Sequence, residues 1–159
     1  MSYVEKRLIK NEDLEGNITY DKLAPDTVQF DVIIPLLAKS VEVAIDSTGV
    51  KESSGHFEVT SELVKHLKHA YLEAYADDPS ATDAVVRVEL HNITDDAVVT
   101  YLEYSGSGGY LKSSDIADSL KGLGGKRICQ RINVTTASAT SGATQVFRSV
   151  ILRLVLGIS

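Results

Sequence analysis

The chain has 159 residues, of which 43% are hydrophobic and 24% charged, a composition that supports one globular domain with a packed core and excludes an intrinsically disordered chain. Lys and Arg number 16 against 22 Asp and Glu, for a net charge of -6; that balance repels a phosphate backbone, and with no basic run to interrupt it nucleic acid is not expected as a partner. The single cysteine, Cys129, has no partner for an intramolecular disulfide or a paired-thiol motif.

In chain order, Met1 to Lys10 carries Glu5, Lys6, Arg7 and Lys10 without an apolar segment, so no secretory signal is expected. Residues 7–29, RLIKNEDLEGNITYDKLAPDTVQ, are charged and aperiodic, with a turn at Glu15-Gly16-Asn17 and a break at Pro25. They read as an extended arm, residues 1–28, ahead of a folded domain at 29–159. From Val28 the period becomes two: Val28, Phe30, Val32 and Ile34 share one face, and Val41, Val43 and Ile45 repeat the alternation. Further strands rich in β-branched residues are predicted over 55–60, 84–92, 97–105, 126–134 and 145–156. The polar stretch Asn92 to Asp96 joins two of them into a β-hairpin, 84–105.

Ser61 to Ala76 admits two readings. Leu63, Val64, Leu67, Ala70, Tyr71, Ala74 and Tyr75 fit a helical face with Ser61 as N-cap. As a strand, the same stretch puts Ala70, Leu72, Ala74 and Ala76 on one side and Tyr71, Glu73, Tyr75 and Asp77 on the other. SGSGGY at 105–110 reads as a glycine-rich turn, and a short helix is expected near Asp115 to Leu120. The longest apolar run, Val150 to Ile158, is broken by Arg153 and far short of the ~20 residues of a membrane helix, so no membrane insertion is expected. Many short strands with polar turns give an all-β, antiparallel sandwich with at most one or two short helices.

Catalytic signatures are missing: there is no G-x-S-x-G elbow, phosphate-binding lysine loop or dinucleotide fingerprint, so neither enzyme activity nor a cofactor is expected. His66 and His69 form an H-x-x-H pair, with His56 and His91 elsewhere, but no third close ligand accompanies them, and they read as structural or solvated. Asp77-Asp78, Asp95-Asp96 and Asp115 to Asp118 place carboxylates in loops without calcium-loop spacing, which fits turn formation better than a metal. Asn17, Asn92 and Asn133 begin N-x-T sequons. If Val86, Val88 and Leu90 face the core, Arg87, Glu89 and His91 face out, with Tyr101 and Glu103 beside them. Together with Tyr71, Glu73 and Tyr75 this gives an outward Tyr, Glu and Arg surface, and Tyr71, Tyr75, Arg87, Glu89, Tyr101 and Glu103 are the candidate ligand-binding residues. The same residues also read as a ladder of exposed cross-strand pairs, which Arg127, Arg131 and Arg153 would extend.

HAYLEAYAD (69–77), AVVRVELHNITDDAVVTYLEYSG (84–106), GKRICQRINV (125–134) and VFRSVILRLVL (146–156) resemble the jelly-roll modules of phage tail and carbohydrate-binding-like proteins. Separately, GNITYDKLA (16–24) resembles the G-x-I-T-x-x-K-L-A units of viral tail fibres, which often assemble as trimers. The resemblance implies a strand over 69–77, a jelly-roll-like head, and a virion or cytoplasmic protein that is a homotrimer with a glycan or cell-surface ligand. Leu8, Ile9, Leu14, Ile18 and Leu23 are too few for a core of their own but enough to bury against a partner chain. The expected function is a non-enzymatic, fibre-like structural or binding protein; the alternative is a carbohydrate-binding module with a Tyr-rich sheet face.

Overall fold

The alternating segments lie as strands in the computed structural model, which describes residues 28–157. In chain order they are β1 (Gln29–Pro35), β2 (Val41–Ala44), β3 (Gly49–Glu58), helix α1 (Ser61–His66), β4 (Leu67–Ala76), β5 (Val85–Asn92), β6 (Ala97–Ser105), β7 (Gly109–Lys112), helix α2 (Ala117–Lys121), β8 (Arg127–Thr136) and β9 (Thr144–Gly157). Sheet A has the order β1-β9-β4-β7, with β2 also on β9, and sheet B the order β3-β8-β5-β6. All pairings are antiparallel. β1 lies along Ile151–Gly157 and β2 along Thr144–Phe147, so the two occupy successive stretches of one β9 edge. With β2-β9-β4-β7 over β3-β8-β5-β6, the connectivity is that of a jelly roll, and β1 is an added strand.

Period-two burial makes the core. Ala70, Leu72, Ala74 and Ala76 of β4, with Phe147, Val150, Leu152 and Leu154 of β9, bury one face of sheet A. Val86, Val88 and Leu90 of β5, Leu102 and Tyr104 of β6, and Ile128, Ile132 and Val134 of β8 bury the facing side of sheet B. Tyr104 meets Phe147 edge-on, with ring centroids 5.6 Å apart at 87°, and its hydroxyl donates to Gly109 O at 3.0 Å, so the phenol is buried without an orphaned polar end.

The hairpin over 84–105 forms as expected, with one register shift between Leu90 and His91. Ser61 to Ala76 divides between its two readings. Six residues make a helix that buries none of its side chains, capped by Thr60, whose Oγ1 accepts from Leu63 N at 3.2 Å; Thr60, not Ser61, is the N-cap. Leu67 then starts a ten-residue strand, because the alternation of Ala70, Leu72, Ala74 and Ala76 can bury a whole face against sheet B. β3 begins at Gly49 rather than 55 and carries two register breaks.

The glycine-rich stretch at 105–110 is more than a turn, since β7 starts at Gly109 and forms the edge of sheet A. A Cβ at Gly106 would lie 2.2 Å from Thr82 O, and one at Gly108 would lie 2.4 Å from Asp77 C. Only glycine lets the β6–β7 crossover pass this close to the loop after β4. The arm over 1–28 falls outside the described residues except for Val28. Among the described residues no helix is long and apolar enough to cross a membrane.

Candidate binding face

Because β4 buries its alanines and Leu72, its alternate residues stand on the outer face of sheet A, where register brings them to side chains of β7, β9 and β1. Tyr71 is opposite Arg153, Glu73 is opposite Ile151 and Lys112, and Tyr75 is opposite Tyr110. Glu73 is only 5% exposed. Its Oε2 accepts from Arg153 Nε at 2.6 Å, and its Oε1 accepts from the Tyr110 hydroxyl. Arg153 also reaches Asp31 on β1, with Nη1 3.3 Å from Oδ2. Burial pushes the Glu73 carboxyl up, but the hydrogen bonds from Arg153 and Tyr110 and the charges of Arg153 and Lys112 outweigh it and hold the group below the usual glutamate value. The bond to Glu73 raises the Tyr110 phenol in turn.

The polar chain continues along the same face. Lys112 Nζ sits 4.1 Å from the Tyr71 ring centroid. The Tyr71 ring stacks against His69 at 6.5 Å and 21°. His69 Nδ1 lies 2.6 Å from Asp115 Oδ2, while Asp115 Oδ1 accepts from the Ala70 and Ala117 amides at 3.0 Å each. Burial raises the Asp115 carboxyl, but His69 and those two amides lower it further. Tyr75 (45% exposed) and Tyr110 (57%) stand side by side, and Ile33 (52%) flanks Arg153 on β1. Both oxygens of Glu73 are occupied, so the group acts as a strut, while the rings of Tyr75 and Tyr110 beside it stay exposed and can stack on a partner.

Sheet B carries the remaining predicted residues. Arg87 Nε donates to Glu103 Oε2 at 2.9 Å, and its guanidinium lies 4.1 Å from the Tyr101 ring centroid. Glu89, expected outward and exposed, does face out but is buried, lying in register between Tyr101 and Arg131 with Asn133 Nδ2 donating to its Oε1 at 3.1 Å. His91 is outward and buried as well; Asp96 Oδ1 is 3.1 Å from its Nε2, off the hydrogen-bonding direction, and neither ring nitrogen has a hydrogen-bond partner.

The six candidate residues therefore do not share one surface. Tyr71 and Tyr75 lie on the outer face of sheet A, and Arg87, Glu89, Tyr101 and Glu103 on that of sheet B, because β4 and β5, consecutive in sequence, belong to opposite layers. Arg153 extends the sheet A network rather than the ladder on β5 and β6. Asp31 of β1 joins the sheet A face without having been singled out, as do Tyr110 and Lys112, because β7 is too short for a visible alternation.

His66 and His69 do not form a ligand pair: His66 ends α1 with Glu62 at 3.7 Å, and His69 opens onto Asp115. Asp77 is held by Arg148 Nε at 2.9 Å, and Asp95 by Lys126 at 2.8 Å and by Asn92. Among the described residues no group of three His, Cys, Asp or Glu could hold a metal ion. The Asn92 side chain is buried in the β5–β6 turn and the Asn133 side chain braces Glu89, so both serve the fold; Asn17 lies outside the described residues.

No family model and no curated protein matches the chain. Among solved structures, a chain in the structure of the infectious bursal disease virus Gx strain superposes with a TM-score of 0.40 at 11% identity, over 84% of this chain and 33% of that one. The chain thus spans about a third of the length of that viral chain. A likeness at this level assigns neither family nor function.

Proposed function

We propose that this chain is a non-catalytic structural and binding protein of a virion or fibre-like assembly, in which residues 1–28 hold copies together as a trimer and the jelly roll offers the outer face of sheet A to a partner. The observation that carries the reading is the pinned Glu73. Hydrogen-bonded by Arg153 and by Tyr110, it fixes the side chains beneath the exposed rings of Tyr75 and Tyr110. A face ordered before binding loses less side-chain entropy when a partner arrives. Its exposed Tyr rings and its Arg are residue types enriched at interface centres. The words GNITYDKLA at 16–24 support the trimeric arm. Light scattering on the full chain and on residues 29–159 tests this: three-fold association that is lost on truncation is expected, and a full chain that shows no species of three copies or a multiple of three at micromolar concentration excludes it.

A second reading, sugar binding, rests on Tyr75 and Tyr110 as directly opposed, exposed rings on neighbouring strands. Jelly rolls serve as lectin as well as capsid domains, so the fold admits both. Glycan-array binding that is lost in Tyr75→Ala and retained in Tyr101→Ala on the other sheet would favour this reading. Binding to no glycan removes it.

A further inference from the structure

We infer that the free edge of β6 pairs with β6 of a second copy of this chain, extending sheet B across a two-fold axis. The sheets expose five edge strands among the described residues: β1, β2 and β7 of sheet A, and β3 and β6 of sheet B. Proteins blunt such edges with short strands, charges, proline or bulges, because unpaired N–H and C=O groups template a further strand. β2 and β7 have four residues each. β3 is broken twice and carries Lys51, Glu52 and Glu58, and β1 carries Asp31 and ends in Pro35.

β6 lacks these devices over most of its length. Its nine residues, AVVTYLEYS, hold no Gly, Pro or Lys, and among the described residues their ladder partner is β5 alone. The one irregularity falls at Leu90/His91, so Thr100–Ser105 runs in unbroken register against Val85–Leu90. The single charge on β6, Glu103, is held by Arg87 at 2.9 Å.

Charge and register select the geometry. A two-fold axis perpendicular to the sheet keeps inner faces with inner faces, so it must pass through a residue and not between two. Centred on Glu103, it would set two carboxylates opposite each other. Centred on Tyr101, it would draw in the irregular end at Val98 and Val99. Centred on Leu102, it uses Thr100 to Tyr104 alone and places each Tyr101 opposite Glu103 of the second copy, with no like charges facing. This contact involves neither residues 1–28 nor the outer face of sheet A, and so goes beyond the function proposed above.

The test uses the full chain with Tyr101→Cys and Glu103→Cys, positions whose side chains lie outside the core; the native Cys129 is buried. Under mild oxidation the double variant, and an equimolar mixture of the two single variants, should give a disulfide-linked pair on a non-reducing gel, while each single variant alone should not. In the unsubstituted chain, amide exchange across Thr100–Ser105 should slow at least tenfold as concentration rises through the micromolar range. Linkage in Tyr101→Cys alone overturns the register. Unlinked variants that melt cooperatively, or exchange independent of concentration, overturn the contact.

Discussion

Glu73 of β4 and Arg153 of β9 are joined by a 2.6 Å bond from Nε to Oε2 on the outer face of sheet A, with Tyr110 closing over the second oxygen. Glu73→Gln removes the charge but keeps the shape, and should cost about 1.5–3 kcal/mol, the range for hydrogen bonds to charged groups. The pH dependence has a definite sign. A carboxyl held below its unfolded value stabilises the fold above that value, about pH 4.3, and loses the effect as pH falls through the folded value. The gap in melting temperature between the unsubstituted chain and Glu73→Gln should therefore be widest above about pH 5 and close on further acidification. A gap constant down to strongly acid pH would contradict the assignment.

The crossover from β6 to β7 makes a steric prediction. Gly108→Ala would place a methyl 2.4 Å from Asp77 C, in a loop where Gly108 N also donates to Asp78 Oδ1 at 2.8 Å. A loss of about 1–3 kcal/mol is expected from the overpacking. Gly122→Ala is the control, because its methyl would meet Ser119 O at an ordinary 3.5 Å. Denaturant midpoints of the two variants should differ clearly; equal midpoints would mean that the crossover relaxes without cost.

His91 is buried with neither ring nitrogen hydrogen-bonded, although Asp96 Oδ1 lies 3.1 Å from its Nε2. An orphaned buried polar group costs about 1–3 kcal/mol, so His91→Leu should be neutral or stabilising in urea unfolding. A loss of about 2 kcal/mol or more would show that the ring has a hydrogen-bond partner.

Tyr104→Phe keeps the ring against Phe147 and removes the bond to Gly109 O, for an expected loss of about 1 kcal/mol at neutral pH. Burial pushes the Tyr104 phenol above its ordinary range. Stability that depends on the neutral phenol is present below about pH 10 and lost as pH rises toward the folded value. The unsubstituted chain should thus weaken above about pH 10 more steeply than Tyr104→Phe in alkaline melts.

The layers were legible wherever burial follows a strict period of two. Val86, Val88 and Leu90 against Arg87, Glu89 and His91 announced both faces of β5, and the polar Asn92 to Asp96 turn announced its partner. The site was less legible, because alternation says which way a side chain points and not which sheet it points from. Tyr75 and Tyr101 both read as outward, yet a strand switch after Ala76 sends them to opposite surfaces. Glu73 read as outward too, but its burial depends on Arg153, 80 residues further along the chain. Tyr110 follows a glycine-rich stretch whose glycines answer to the close approach of Thr82 to Gly106, a contact between segments distant in sequence.

β9 has a bearing on how the chain is made. It pairs with β1 and β2 on one edge and β4 on the other, yet among the described residues it is the last strand in sequence. On the ribosome, sheet B can assemble once β8 has emerged, while β1, β2 and β4 wait for Thr144–Gly157 with their apolar faces uncovered. A nascent chain halted before residue 144 would therefore be half a sandwich with sticky strands, a natural client for a chaperone until translation delivers the missing centre of sheet A.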